Sequence, residues 1–132
     1  MIKRIDHVGI VVNNIEEMVE ILSKNFGFEI TETVTAPDGE FKTALVSSGD
    51  TRLELIEPIG SHGSIAKFLE KRGGGIHHLS LGVDDIEGEL RSLEAKGVRL
   101  INSKPSSVAS SLVAFVHPSS TEGVLVELIQ RI

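Results

Sequence analysis

Two histidines and two glutamates stand at matching places in the two halves of this chain. Arg4-Ile5-Asp6-His7-Val8-Gly9-Ile10-Val11-Val12-Asn13-Asn14-Ile15-Glu16 aligns with Gly75-Ile76-His77-His78-Leu79-Ser80-Leu81-Gly82-Val83-Asp84-Asp85-Ile86-Glu87. His7 falls on His78, 71 residues later (78 − 7). Leu53-Glu54-Leu55-Ile56 falls on Val126-Glu127-Leu128-Ile129, 73 residues later (127 − 54). A lone strand histidine is ordinarily a core or rim residue, and a lone strand glutamate ordinarily meets solvent. That reading produces no coupling between the halves, whereas a shared site does. Two imidazoles and two carboxylates form a divalent-metal donor set. Imidazole suits borderline metals and carboxylates suit harder ones, so the mixture favours Co, Mn, Ni, Fe or Zn over Mg or Ca. Two carboxylates also neutralise a dication.

Composition narrows the alternatives. The chain has no cysteine, which excludes disulfides, thiolate metal sites and cysteine nucleophiles. A net charge of −6 argues against nucleic acid as a partner, because phosphate backbones demand clustered Lys and Arg. No apolar run approaches the ~20 residues of a membrane span, and the N-terminus lacks the layout of a signal peptide. The expectation is a cytoplasmic protein. A length of 132 residues fits one domain.

The elements that must position the four side chains read as one plan used twice. In the first copy, residues 4–12 form a strand rich in β-branched residues. Asn14 caps a helix, with Glu17 three residues on in capping-box spacing. Ile15, Met18, Val19 and Leu22 make the buried stripe of that helix, and Gly27 ends it. Strands follow at 28–34, 41–46 and 51–56, with a turn at Ala36-Pro37-Asp38-Gly39. Residues 58–75 are a connector, with a short helix around Ile65, Phe68 and Leu69 that ends at the triple glycine. The second copy has a strand at 76–83, then a helix with Ile86, Leu90 and Leu93 inward. Asp84 or Asp85 caps that helix, with Glu87 closing a box from Asp84. Gly97 is its stop. Strands follow around 98–101, 112–116 and 124–129, and polar residues 105–111 read as a loop.

This is an α+β chain of two βαβββ repeats, about 3–57 and 76–131, forming a single domain over 1–132. Strand parity gives its working face its character. Leu79, Leu81 and Val83 share one face, while His78, Ser80 and Gly82 share the other. His7 and Gly9 likewise oppose Val8, Ile10 and Val12. Small and polar neighbours describe a hollow face. A curved mixed sheet with its helices outside would gather the four side chains there.

With these residues and motifs in view, the chain resembles the vicinal-oxygen-chelate (glyoxalase) superfamily. More specifically it is similar to the methylmalonyl-CoA epimerase family. The stretches that carry the likeness are residues 64–78, ending in His77-His78, together with Val83-Asp84-Asp85-Ile86, Ala114-Phe115-Val116-His117-Pro118 and Gly123-Val124-Leu125-Val126-Glu127-Leu128. The resemblance implies a divalent ion (Co, Mn, Ni or Zn) held by His7, Glu54, His78 and Glu127. It implies interconversion of (2R)- and (2S)-methylmalonyl-CoA through an enolate stabilised by a Lewis acid, with Glu127 as a catalytic base. It also implies an acyl-CoA partner and a homodimer.

The chain departs from the family in three places. Relatives take a second base from the strand matching 40–46, where this chain offers Glu40, Lys42 and Thr43. Val108-Ala109-Ser110-Ser111 replaces a glycine-rich loop, and Ser64 stands where Pro is common. A lactoylglutathione lyase of glyoxalase I type and a non-catalytic ligand-binding protein of the same fold are the rival readings. The helix at 64–72 and the His77-His78 pair favour the epimerase. Lys67 and Lys71 read as a solvated helix face, His77 as a packing residue, His117 as a turn residue and His62 as surface.

Overall fold

A computed structural model describes residues 1–132. Its elements in chain order are β1 (Ile2–Val11), α1 (Ile15–Phe26), β2 (Glu29–Thr35), β3 (Phe41–Ser48), β4 (Thr51–Pro58), α2 (Ser64–Arg72), β5 (Gly75–Val83), α3 (Ile86–Ala95), β6 (Ser106–Val108), β7 (Ser111–Val116) and β8 (Val126–Arg131), with a short 3₁₀ turn at Pro118–Ser120. The strands follow the order β2-β3-β4-β1-β5-β8-β7-β6. Contacts group the chain into two compact units, residues 7–77 and residues 1–6 with 78–132, so β1 lends its first residues to one and its remainder to the other.

Each unit pairs its first and last strands in parallel. In the N-terminal unit Val8–Val11 of β1 run beside Leu53–Ile56 of β4. In the C-terminal unit Leu79–Gly82 of β5 run beside Val126–Ile129 of β8. The ladders of β2 with β3, β3 with β4, β6 with β7 and β7 with β8 are antiparallel. A parallel pair needs a long crossover between its strands. Here the crossover is the helix and hairpin between β1 and β4, and their counterparts between β5 and β8.

In the N-terminal unit α1 packs Ile15 and Leu22 against Ala44, Val46 and Leu55, with Met18 and Val19 beside them. The other face of β1 and β4 offers Val11 and Ile56, which bury against Ile65 of α2 with Phe41, Phe68 and Leu69 around them. In the C-terminal unit Ile86 and Leu90 of α3 pack on Val83, Ala114 and Leu128. The clusters under α1 and α3 are the apolar stripes legible in the sequence.

Both long helices begin in the same way. Asn14 Oδ1 accepts from the Glu17 backbone N–H at 2.9 Å, and Asp85 Oδ1 accepts from Gly88 N–H at 3.1 Å. A second side chain then takes the first helical N–H. Glu57 Oε1 accepts from Ile15 N–H at 2.7 Å, and Gln130 Oε1 accepts from Ile86 N–H at 2.9 Å. Glu57 and Gln130 each stand three residues beyond Glu54 and Glu127, so each helix start is tied to a strand that carries a candidate ligand.

Three local expectations are corrected. Asp85 alone caps α3, through Gly88, and the Asp84–Glu87 box does not form, because the extended residue directly before Ile86 is Asp85. Residues 98–101 make a single bridge, Leu100 to Val116, in place of a strand. Asn102 Oδ1 accepts the Phe115 N–H at 2.8 Å, so a side chain takes the next ladder position. Residues 106–108, read as loop, form β6, which pairs with β7 through a tight turn where Ala109 adopts φ 51°. Serines on both faces of that strand erase the alternation that would have announced it.

Candidate functional site

His7 lies in β1 at the edge of the buried stretch Asp6-His7, and its side chain is 3% exposed. Gly9, two residues on, pairs across the parallel ladder with Glu54. His7 Nε2 stands 3.8 Å from Glu54 Oε1, and the Glu54 side chain is 27% exposed. The C-terminal unit repeats the arrangement. His78, equally buried, is two residues before Ser80, which pairs with Glu127, and His78 Nε2 stands 3.9 Å from Glu127 Oε1. The Phe115 ring meets the His78 ring edge-on at 6.0 Å between centroids. Ser80, which is fully buried, donates its hydroxyl to Glu127 Oε1 at 2.7 Å.

The expected hollow face is more closed at these positions than small neighbours implied. Beside Gly82 the space is occupied: a Cβ built there would lie 3.0 Å from the Arg4 guanidinium carbon. Arg4 lies across the glycine, which explains the small residue without a ligand. Arg4 Nη2 also stands 3.5 Å from Asp6 Oδ1, and Arg131 donates to both oxygens of buried Asp6.

The chemistry of the donors fits a divalent ion. At 3.8 and 3.9 Å the imidazole nitrogens and carboxylate oxygens named above are beyond hydrogen-bond range. Two donors that each sit about 2.1 Å from a shared ion are separated by at most about 4.2 Å, so both spacings are compatible with such an ion. His7, Glu54 and His78 make up a donor group of a kind that holds metal. With no cysteine in the chain, imidazole and carboxylate are its strongest ligands.

The residues offered for a second base do not present an acid on the Glu54 side of β3. Leu45 pairs with Glu54, which places Phe41, Thr43 and Leu45 on that side by alternation. Lys42 pairs with Glu57 on the other side, with its Nζ 3.7 Å from Glu57 Oε2. Glu40 folds over Gly63, where a Cβ would come within 3 Å of its carboxylate. The acid of β2 in the same row is Glu32, which pairs with Leu45 past a bulge. His77 meets Phe68 edge-on at 5.0 Å, and His117 Nδ1 accepts from the Ser119 N–H at 3.0 Å as the cap of the 3₁₀ turn. Sequence reasoning missed Ser80 as a partner of Glu127, and it missed Glu57 and Gln130 as helix ties. The signal for the ties was present in their spacing, 73 residues apart (130 − 57).

Comparison with known proteins agrees with this architecture. The family model described as "Glyoxalase/Bleomycin resistance protein/Dioxygenase superfamily" matches residues 6–115. The mitochondrial methylmalonyl-CoA epimerase of Dictyostelium discoideum is 37% identical, over 98% of this chain and 80% of that protein. An ethylmalonyl-CoA/methylmalonyl-CoA epimerase of Cereibacter sphaeroides is 34% identical, over 98% of this chain and 99% of that protein. Among solved structures, a substituted Streptomyces coelicolor methylmalonyl-CoA epimerase in complex with 2-nitronate-propionyl-CoA superposes with TM-score 0.91 at 30% identity, over 99% of this chain and 96% of that one. The paired first and last strands, the repeated imidazole–carboxylate spacing and these likenesses over nearly the full length agree, and the chain belongs to the methylmalonyl-CoA epimerase family of the glyoxalase superfamily.

Proposed function

We propose that this protein interconverts (2R)- and (2S)-methylmalonyl-CoA, with a divalent ion held by His7, Glu54, His78 and Glu127. One observation carries the reading: each unit sets a buried strand histidine within 4 Å of a strand glutamate, His7 with Glu54 at 3.8 Å and His78 with Glu127 at 3.9 Å. Family membership supplies the substrate class.

The proton at C2 lies between a thioester and a carboxylate, and it becomes labile when the developing negative charge is stabilised. A bound divalent cation supplies that stabilisation as a Lewis acid. The chain's own residues do the rest. His7 and His78, held in β1 and β5, offer imidazole nitrogens. Glu127 takes the C2 proton from one face of the substrate, where a positioned base contributes about 10²–10⁴-fold, and return of a proton to the opposite face of the planar enolate inverts the centre. With the Phe115 ring beside His78 and Ser80 buried next to it, the Glu127 side chain is only 10% exposed.

On this reading the two units are halves of one domain acting in the cytoplasm. Exposed Ile2 and Ile5 of β1, with Met1 before them, are apolar surface that a second copy would cover in a homodimer. The test is C2 proton exchange of methylmalonyl-CoA in deuterium oxide, with chelated protein and with added Co²⁺ or Mn²⁺. Exchange restored by the metal is the expected result. No exchange, with turnover of methylglyoxal and glutathione instead, would replace this reading by the lyase.

A further inference from the structure

The two halves differ at one position that bears on their carboxylates. Two residues after each candidate histidine stands the residue that pairs with the candidate glutamate: Gly9 with Glu54, and Ser80 with Glu127. Glycine has no side-chain donor to offer. Serine does, and the hydroxyl of Ser80 donates to Glu127 Oε1 at 2.7 Å where no solvent reaches the serine. A hydroxyl donating to a carboxylate at this length in a dry setting is a strong bond, because the acceptor carries charge and water does not compete. The oxygen it holds is the one 3.9 Å from His78 Nε2. Glu54, with 27% of its side chain exposed, is paired with a residue that cannot hold it in this way.

We propose that Ser80 is a positioning residue: its hydroxyl fixes the Glu127 carboxylate in the orientation that serves His78 and a bound cation, a donor that Gly9 at the matching place cannot supply. The inference rests on the proposed function for the identity of the cation. The physical reason is rotamer freedom. A glutamate side chain has three torsions to order, and a ligand ordered before the ion arrives binds it more tightly. A serine that merely satisfies its own hydrogen bond inside a strand would have no such effect.

The test is a Co²⁺ titration of metal-stripped full-length protein, followed by visible absorption, with kcat and KM for methylmalonyl-CoA measured in parallel. Ser80→Ala is expected to weaken Co²⁺ binding about 10- to 100-fold. It should lower kcat while leaving KM unchanged. Ser80→Thr keeps a hydroxyl on the same carbon and is expected to recover most of the Co²⁺ affinity. Urea midpoints establish that each variant is folded; if the added methyl of threonine unfolds the protein, the alanine variant decides alone. Ser80→Ala with wild-type Co²⁺ affinity overturns the proposal, as does an equal loss in a folded threonine variant or a wild-type protein that takes up no Co²⁺. A wild type that binds Co²⁺ but leaves methylmalonyl-CoA untouched, with affinity still lost in Ser80→Ala, sinks the substrate assignment and keeps the role of Ser80.

Discussion

Arg131 grips the carboxylate of Asp6 with two nitrogens, Nε on Oδ1 at 3.0 Å and Nη2 on Oδ2 at 2.7 Å, although the two residues are 125 positions apart. Asp6 is 1% exposed and stands next to His7, and Arg131 lies on β8 on the same side as Glu127. The pair braces the entry of β1 against the end of β8. Removing one partner of a buried ion pair strands the other, which is far costlier than the net worth of the pair. Arg131→Ala is expected to lower stability by about 3 kcal/mol, at the low end because Arg4 also faces Asp6. A urea unfolding curve reads this directly, and a loss under about 1 kcal/mol would show the brace to be dispensable.

Glu127→Gln tests the proton carrier. The amide oxygen can still accept from Ser80, so the fold should hold, while the amide cannot take a proton from C2. Exchange of the C2 proton with solvent deuterium is expected to fall by at least about 10²-fold. If the variant still binds metal and exchanges at the normal rate, the base lies elsewhere.

Metal binding should also register in stability without reference to any substrate. A ligand that binds only the native state at 100 times its Kd adds about 2.7 kcal/mol. Chelated protein is therefore expected to melt several degrees below the same protein in excess Co²⁺ or Mn²⁺. His78→Ala should abolish most of that difference. Equal melting temperatures with and without the ion would contradict a resident cation.

Gln130→Ala probes a helix tie found only in the structure. It leaves the N–H of Ile86, a fully buried residue, without its side-chain acceptor, at an expected cost of about 1–3 kcal/mol. Asp85→Ala removes an exposed cap and is expected to cost about 1 kcal/mol. The order of the two effects in denaturant midpoints is the measurement. A larger loss from the exposed cap would mean that the Gln130 bond contributes little.

Much of this was legible in the chain. The repeat paired His7 with Glu54 and His78 with Glu127, pairs that lie within 4 Å in the structure, and the apolar stripes of Ile15, Leu22, Ile86 and Leu90 fixed which faces of the long helices turn inward. The cap at Asn14 follows from local chemistry alone, whereas Asp84 and Asp85 were equally placed and only the folded chain selects Asp85. What failed had non-local or low-contrast causes. Nothing in Leu100-Ile101 announces that the amide of Asn102 will take the ladder position at Phe115, and Ser106–Val108 has no alternation from which to read a strand. Ser80 was legible as a small polar residue beside a histidine. Its bond to Glu127 depends on which strand lies next to β5, and that parallel register is set only by the assembled sheet.

Strand β8 follows every other strand along the chain yet lies between β5 and β7. A nascent polypeptide that has reached Leu125 therefore holds His78 and Ser80 on an edge with nothing beside it, and it has not yet acquired Glu127. Until the last strand docks, both flanking edges stay open to mispairing with other chains. Docking of β8 thus closes both edges at once, and the same step brings Glu127 to the hydroxyl of Ser80.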